Sequence, residues 1–257
     1  MKLVREYIEK PWGITSLPPM FDAPSGERIG EVWFTGNPDL PLLAKYIFTS
    51  ERLSIQVHPN DVQASERGLR SGKTECWYIL DTDPGATIGL GLTRTMAADD
   101  LRSAALDGSI ERLIDWRPVS KGDFILVPPG TVHAIGAGIA LLEFQQNADV
   151  TYRLYDYGRP RELHLDDGME VATAAPFDDR LVRHVERGEE RLLVDGPPFR
   201  LIATSNDTFL DQRRWIMPIE GEVQSNDAIA TAGDCLVVEA GSEVRAIDAW
   251  MLIGTTV

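Results

Sequence analysis

Bulky apolar residues alternate with polar ones in short runs along this chain, and turn-forming residues separate the runs. Residues 29–34, 42–48, 53–57, 76–80, 124–127 and 139–145 each read as a strand, because successive side chains of a strand point to opposite faces. Asp83-Pro84-Gly85, Lys121-Gly122-Asp123 and Pro128-Pro129-Gly130 punctuate them. Short strands at short spacing predict a sandwich or barrel. One helical island interrupts at about 97–116. There Leu101, Ala105 and Leu106, then Ile110, Leu113 and Ile114, recur at helical spacing, with Ser109 as a candidate N-cap. A shorter helix is expected at 61–69.

The pattern also repeats. Gly122-Asp123-Phe124-Ile125-Leu126-Val127-Pro128-Pro129-Gly130 is echoed by Gly233-Asp234-Cys235-Leu236-Val237-Val238-Glu239-Ala240-Gly241, and each run leads into Ala-Ile, at 134–135 and 246–247. A turn, a buried strand and a second glycine turn occurring twice predict two related β-modules. The expected division is 1–170, with the helical insertion, and 171–257, with 168–195 as the junction.

Composition narrows the function. With 43% hydrophobic and 25% charged residues, the chain has the makeup of a globular protein. A formal net charge of −15 argues against nucleic acid, whose phosphates need a basic face. A small phosphorylated substrate stays compatible if Lys and Arg gather locally. No apolar run approaches the roughly 20 residues of a membrane helix, and Arg5, Glu6, Glu9 and Lys10 are unlike a signal peptide. The expected setting is cytoplasmic, with no membrane and no obligate protein partner evident. Cys76 and Cys235, in strand-like segments, are expected as buried free thiols.

The candidate chemistry lies in the first module. Gln56 and His58 are two apart in an alternating run, so a strand points both to one face. Glu75 and His133 each lie in another strand-like run, so an amide, two imidazoles and a carboxylate can converge. Nitrogen and oxygen donors without thiolate suit zinc or a neighbouring divalent metal. His164 and His184 read as structural or surface residues. In the second copy, the place of His133 falls to Val244 or Arg245, and Gln56 and His58 have no counterpart. Only the first module is therefore expected to hold a metal.

These residues sit in longer stretches: Lys10-Pro11-Trp12-Gly13, Ile29-Gly30-Glu31-Val32-Trp33, Pro41-Leu42-Leu43-Ala44-Lys45, and the run from Glu143 through Asp149 and Arg153 to Arg159, closed by Arg161-Glu162-Leu163-His164. In series over roughly the first 170 residues, they resemble the class I (zinc-dependent) mannose-6-phosphate isomerases, in particular the short bacterial form. The resemblance implies a mainly β bicupin fold, two jelly-roll or β-barrel modules with a small helical insertion, and one Zn2+ on Gln56, His58, Glu75 and His133. It implies that Lys73 and Arg153 line the active site, that Lys45 and Ser54 attend the sugar phosphate, and that Glu143 and Asp149 are pocket carboxylates.

The implied reaction interconverts mannose 6-phosphate and fructose 6-phosphate by proton transfer between C1 and C2 through an enediol-type intermediate. Lys73 and Glu143 are rival bases, Arg153 steadies the anion, and Arg159 either assists the phosphate or pairs with Asp156. Glu31 and Trp33 are expected to brace the sheet. Cupin dioxygenases usually carry two histidines two apart and a glutamate soon after. Here Gln56 replaces the first, and Glu75 comes 17 residues beyond His58, which favours a Lewis-acid metal over oxygen-activating iron. Two departures stand out. Ser71-Gly72-Lys73-Thr74-Glu75 lacks the histidine that many members carry before the lysine, and no extended helical domain is foreseen. The alternatives are a non-enzymatic sugar-binding or regulatory cupin, and a cupin enzyme of other chemistry, an epimerase or oxygenase.

Overall fold

The computed structural model describes every residue except 24–25 and 37–38. In chain order the first strands are β1 (Val4–Ile14), β2 (Ile29–Thr35), β3 (Leu42–Thr49), β4 (Ile55–Val57), β5 (Glu75–Thr82) and β6 (Thr87–Leu92). Then come β7 (Ile114–Pro118), β8 (Asp123–Val127), β9 (His133–Ile135), β10 (Ile139–Gln146), β11 (Tyr152–Tyr155) and β12 (Val182–His184). The last are β13 (Arg191–Gly196), β14 (Phe199–Thr204), β15 (Arg214–Ser225), β16 (Ala228–Thr231), β17 (Leu236–Val238) and β18 (Arg245–Thr256). Helices α1 (Asp61–Glu66), α2 (Ala98–Asp107) and α3 (Leu165–Val171) interrupt them. The fold is mainly β, as expected.

Among the described residues the strands form three sheets. A seven-stranded sheet runs β1-β2-β3-β10-β5-β8-β12 and a five-stranded sheet β11-β4-β9-β6-β7. A six-stranded sheet runs β13-β14-β18-β15-β16, with β17 on β15. Side-chain alternation explains how they pack. All eight residues of β3 are buried, because the strand is covered on both faces. Leu42, Ala44, Tyr46 and Phe48 join Phe199, Trp215 and Trp250 of the third sheet in one apolar cluster. Ile47 instead joins Trp77, Ile79, Ile88 and Ile135 between the first two sheets. Lys45 is on the same alternation as Ile47, and the pleat alone therefore sends it into that interior.

The helical island is shorter than the sequence suggests. Gly108 adopts φ +78° and ends α2, a 3-10 turn follows over Ser109–Arg112, and Trp116 already belongs to β7. A left-handed residue cannot continue an α-helix, so the periodicity on either side of it belongs to two elements. Ser109 does not take the expected cap position: it is the first residue of the 3-10 turn, and Gly108 is its N-cap. The shorter helix forms as α1, closed by a reciprocal capping box between Asn60 and Gln63. Within 168–195, β12 pairs with β8 of the first sheet. Among the described residues no helix is long and apolar enough to cross a membrane.

Candidate active site

Strands β4, β5 and β9 bring the four expected ligands to one end of the interior. Gln56 pairs directly with His133 across β4 and β9, His58 lies just beyond β4, and Glu75 opens β5. His58 Nδ1 lies 2.7 Å from Val150 O and His133 Nδ1 lies 2.9 Å from Thr131 O. A carbonyl only accepts, so each ring carries its proton on Nδ1 and turns the lone pair of Nε2 inward. The two Nε2 atoms lie 3.4 and 3.3 Å from the oxygens of Glu75. The Gln56 amide lies 3.5 and 3.3 Å from the same two nitrogens.

This donor set fits a divalent metal. Ligand atoms about 2.1 Å from a tetrahedral centre stand about 3.4 Å apart; the histidine–glutamate and glutamine–histidine pairs are at 3.3 to 3.5 Å, and the His58, Glu75 and His133 donors all lie within 4.8 Å of one another. Gln56 turns its amide nitrogen to the rings while Ser54 Oγ donates to its Oε1 at 3.0 Å. A half-turn of the amide offers the oxygen instead, and the Ser54 hydroxyl then accepts, because it can play either part. Burial first, and for His58 the Lys73 charge next, hold both imidazoles below their usual range, in the neutral form that binds metal. Burial alone would raise the Glu75 carboxyl, but the Lys73 ammonium beside it outweighs this and keeps it ionised. The histidines and Glu75 are each 1 to 2% exposed.

A row of alternating charges leads away from these ligands. Lys73 Nζ lies 2.7 Å from Glu75 Oε2 and 3.7 Å from Glu143 Oε1. Lys45 Nζ lies 3.0 Å from Glu143 Oε1 and 3.5 Å from Glu31 Oε2, and Lys10 Nζ lies 3.3 Å from Glu31 Oε1. Register builds the row, because Trp33, Lys45, Glu143 and Trp77 face one another in line across β2, β3, β10 and β5. The Trp77 indole donates to Glu143 Oε2 at 3.1 Å and the Trp33 indole to Glu31 Oε2. Burial and the nearby Glu75 charge raise the Glu143 carboxyl, and Lys45 and Lys73 do not reverse this. Burial opposes ionisation of Glu31 too, but there Lys45 and Lys10 prevail and bring it down to about 2. Lys45 is raised despite its burial, by Glu143 and Glu31.

These groups line a cavity of about 270 Å³. Lys45, Ser54, Gln56, Lys73, Glu75, Glu143, Asp149 and Arg153 all reach it, while His58 and His133 touch Gln56 and Glu75 from behind. Asp149 is exposed, and Arg153 is opposite Gln56 on β11. Arg159 is elsewhere, on Asp156 at 3.2 Å and on the Arg52 carbonyl.

Lys10, Glu31, Arg161 and His164 also line the cavity, although none was selected from the sequence. Glu31 does more than brace the sheet. It shares the face of Lys45, a signal present in the alternation of β2 but usable only once the pairing of β2 with β3 is known. Gly72 has no room for the histidine carried by many class I isomerases, since a Cβ there would lie 2.5 Å from the Asn60 carbonyl carbon and 2.6 Å from Pro59 O.

No protein-family model matches the chain. It is 45% identical over 160 residues to a mannose-6-phosphate isomerase of Bacillus subtilis, covering 59% of this chain and 50% of that protein. It is 43% identical over 139 residues to the mannose-6-phosphate isomerase of Streptococcus mutans, covering 52% and 44%. The chain thus spans about half the length of the curated relatives it matches. Among solved structures, the mannose 6-phosphate isomerase of Bacillus subtilis superposes with a TM-score of 0.83 at 27% identity, covering 100% of this chain and 99% of the other.

Proposed function

We propose that this chain, a relative of the class I mannose-6-phosphate isomerases with their cupin fold, interconverts mannose 6-phosphate and fructose 6-phosphate in a metal-dependent reaction. One observation carries the proposal: of four converging metal donors, Gln56 and Glu75 share the cavity wall with Lys73 and Glu143, so a Lewis-acid site and a candidate base lie in one buried row. Gln56, His58, Glu75 and His133 would hold the metal, and zinc suits their nitrogen and oxygen donors. When bound, a divalent metal supplies polarisation of the sugar carbonyl.

Glu143 is the base that takes the proton from C2 of the open-chain aldose and returns it at C1. Its raised carboxyl makes a stronger base than an ordinary carboxylate, and Trp77 and Lys45 fix its orientation. The Lys73 ammonium donates to substrate oxygen as negative charge develops, an interaction that low-dielectric surroundings strengthen. Arg153, opposite Gln56, steadies the enediol-type anion. Ser54 holds the Gln56 amide, and Asp149 at the rim accepts from sugar hydroxyls.

A coupled assay for fructose 6-phosphate tests the proposal, with protein stripped by chelator and then reloaded with zinc. Stripping is expected to abolish turnover and zinc to restore it. Full turnover at zero metal content, or no conversion by the loaded protein, would overturn it.

A further inference from the structure

We infer that Asp61 and Gln146 are positioning residues: together they strap residues 72–74 so that Lys73 and Glu75 enter the site at fixed places. The inference deepens the isomerase proposal and rests on its metal ligands, but zinc affinity tests it without turnover. Residues 71–74 lie between α1 and β5 in no regular element, so no sheet ladder holds them. Yet Lys73 is 5% exposed, and its Nζ lies 2.7 Å from Glu75 Oε2, 3.7 Å from Glu143 Oε1 and 3.3 Å from His58 Nε2. An ammonium on a flexible four-carbon stem keeps such a place only if its own backbone is fixed.

The backbone groups of this segment are all accounted for by three partners. Gly72 N donates to Asp61 Oδ1 at 2.8 Å, Lys73 N to Pro59 O at 3.0 Å and Thr74 N to Gln146 Oε1 at 2.9 Å. The Gln146 backbone answers, its N–H donating to Thr74 O at 3.1 Å. Gln146 Nε2 then donates to the same Asp61 Oδ1 at 2.8 Å. Only one orientation of the amide serves both side-chain contacts, because Thr74 N–H needs an oxygen and the Asp61 carboxylate needs a donor. Gln146 is 6% exposed, so water is a poor substitute for either contact. One carboxylate oxygen and one amide thereby tie the segment to the start of α1 and to the end of β10.

Gly72 makes the strap possible. A Cβ there would lie 2.5 Å from the Asn60 carbonyl carbon and 2.7 Å from Asp61 N, so any side chain would push Gly72 N away from the Asp61 carboxylate. Where many class I isomerases carry a histidine before the lysine, this chain has a backbone donor seated on Asp61. Thr74, the residue Gln146 grips on both its N–H and its carbonyl, stands directly before Glu75. Gln146 therefore acts on the metal through the backbone of a ligand, and on the reacting carbons through Lys73.

The test is the zinc dissociation constant of the full chain, by competition with a chelating indicator, alongside kcat and KM for mannose 6-phosphate at saturating zinc. Gln146→Met removes both side-chain links and is expected to weaken zinc binding about 10- to 100-fold, the usual weight of a group that orients a ligand from behind. Its kcat should fall about tenfold or more, since Lys73 is misplaced, with KM nearly unchanged. Asp61→Asn keeps an oxygen for both donors and should bind zinc as the unaltered chain does. Gln146→Glu sets a carboxylate against Asp61 and should weaken zinc binding, and adding Asp61→Asn, which supplies an amide donor, should recover most of that loss. Asn147→Ala is the control. It removes a side-chain bond to Leu40 O at 2.7 Å, one residue along and outside the strap, and should leave zinc affinity unchanged.

Unchanged zinc affinity in Gln146→Met, an equal loss in Asn147→Ala, or no recovery in the double variant would overturn the inference and leave the isomerase proposal standing. The expected pattern of zinc affinities in a chain that does not convert mannose 6-phosphate would support the strap and remove the isomerase proposal.

Discussion

At 122–130 and again at 233–241 the backbone makes the same excursion. Gly122 and Gly233 have φ of +92° and +89°, and Gly130 and Gly241 have +83° and +73°. Asp123 Oδ2 accepts from Ser120 N at 2.8 Å, and Asp234 Oδ2 accepts from Thr231 N at 3.0 Å. Past the strand, Thr131 N donates to Pro128 O and Ser242 N to Glu239 O, both at 3.2 Å. The two then part. The first turn leads to His133 and a polar interior with a cavity. The second leads to Val244, and Arg214, itself 0% exposed, donates to the Glu239 and Ser242 carbonyls while forking onto Asp207. Buried charge in the second region is closed on itself; in the first it is left facing space for a substrate. The shared turn is scaffold, and the chemistry depends on a few side chains placed after it.

The sharpest way to break this contrast is to remove the ligand from one copy and the matching residue from the other. His133→Ala should lose bound metal and lower kcat/KM by roughly a thousandfold or more, whereas Val244→Ala should leave metal content and turnover intact. Metal analysis and steady-state kinetics on both variants check this. Next in size, Glu143→Gln should reduce kcat by about 10²- to 10⁴-fold, the range of general base catalysis, with metal stoichiometry unchanged. Arg214→Met should do the reverse. Leaving Asp207 without its partner costs about 3–5 kcal/mol in urea unfolding, with kcat per folded molecule unaltered.

Acid should separate the two regions as well. His58 and His133 titrate below the ordinary value of 6.5 in the folded chain, so between that value and their folded ones the unfolded chain binds more protons. Stability of the metal-free protein therefore falls as pH drops below about 6.5. The ionised Glu75, also depressed, adds a second loss below its ordinary 4.5. Thermal melts from pH 7.5 to 4 should show the first loss, and His58→Phe/His133→Phe should remove it. The smallest effect should come from the aspartate turns. Asp234→Ala is expected to cost about 1–2 kcal/mol, because a buried carboxylate with charged partners is lost. Asp123→Ala should cost less, since Asp234 is 4% exposed and also holds Lys2 and Arg5.

Much of this was legible in the sequence because strand alternation is a local signal. It set Gln56 and His58 on one face, and Lys45, Glu75 and Glu143 on alternations that the sheets turn inward. The helix at 97–116 was overextended because apolar spacing cannot register the left-handed backbone of Gly108. The charge row through Glu31 stayed hidden because it depends on the register of β2 against β3 and of β3 against β10, which no local pattern encodes. Arg161 and His164 were passed over for a related reason: they follow β11 on an irregular segment with no periodicity to orient them, and tertiary links, of Arg161 to Asp156 and of His164 to the Arg153 backbone, hold them at the cavity.

The central claim is proton transfer at C2 by a metal-dependent site, and isotope exchange addresses it without reliance on a coupled readout. Mannose 6-phosphate incubated with the zinc-loaded chain in heavy water should take up deuterium at C2. Uptake should cease on chelation, return with zinc, and be nearly absent in Glu143→Gln. A loaded protein that leaves C2 of mannose 6-phosphate and C1 of fructose 6-phosphate free of deuterium, or one that exchanges fully with no metal bound, would contradict the account.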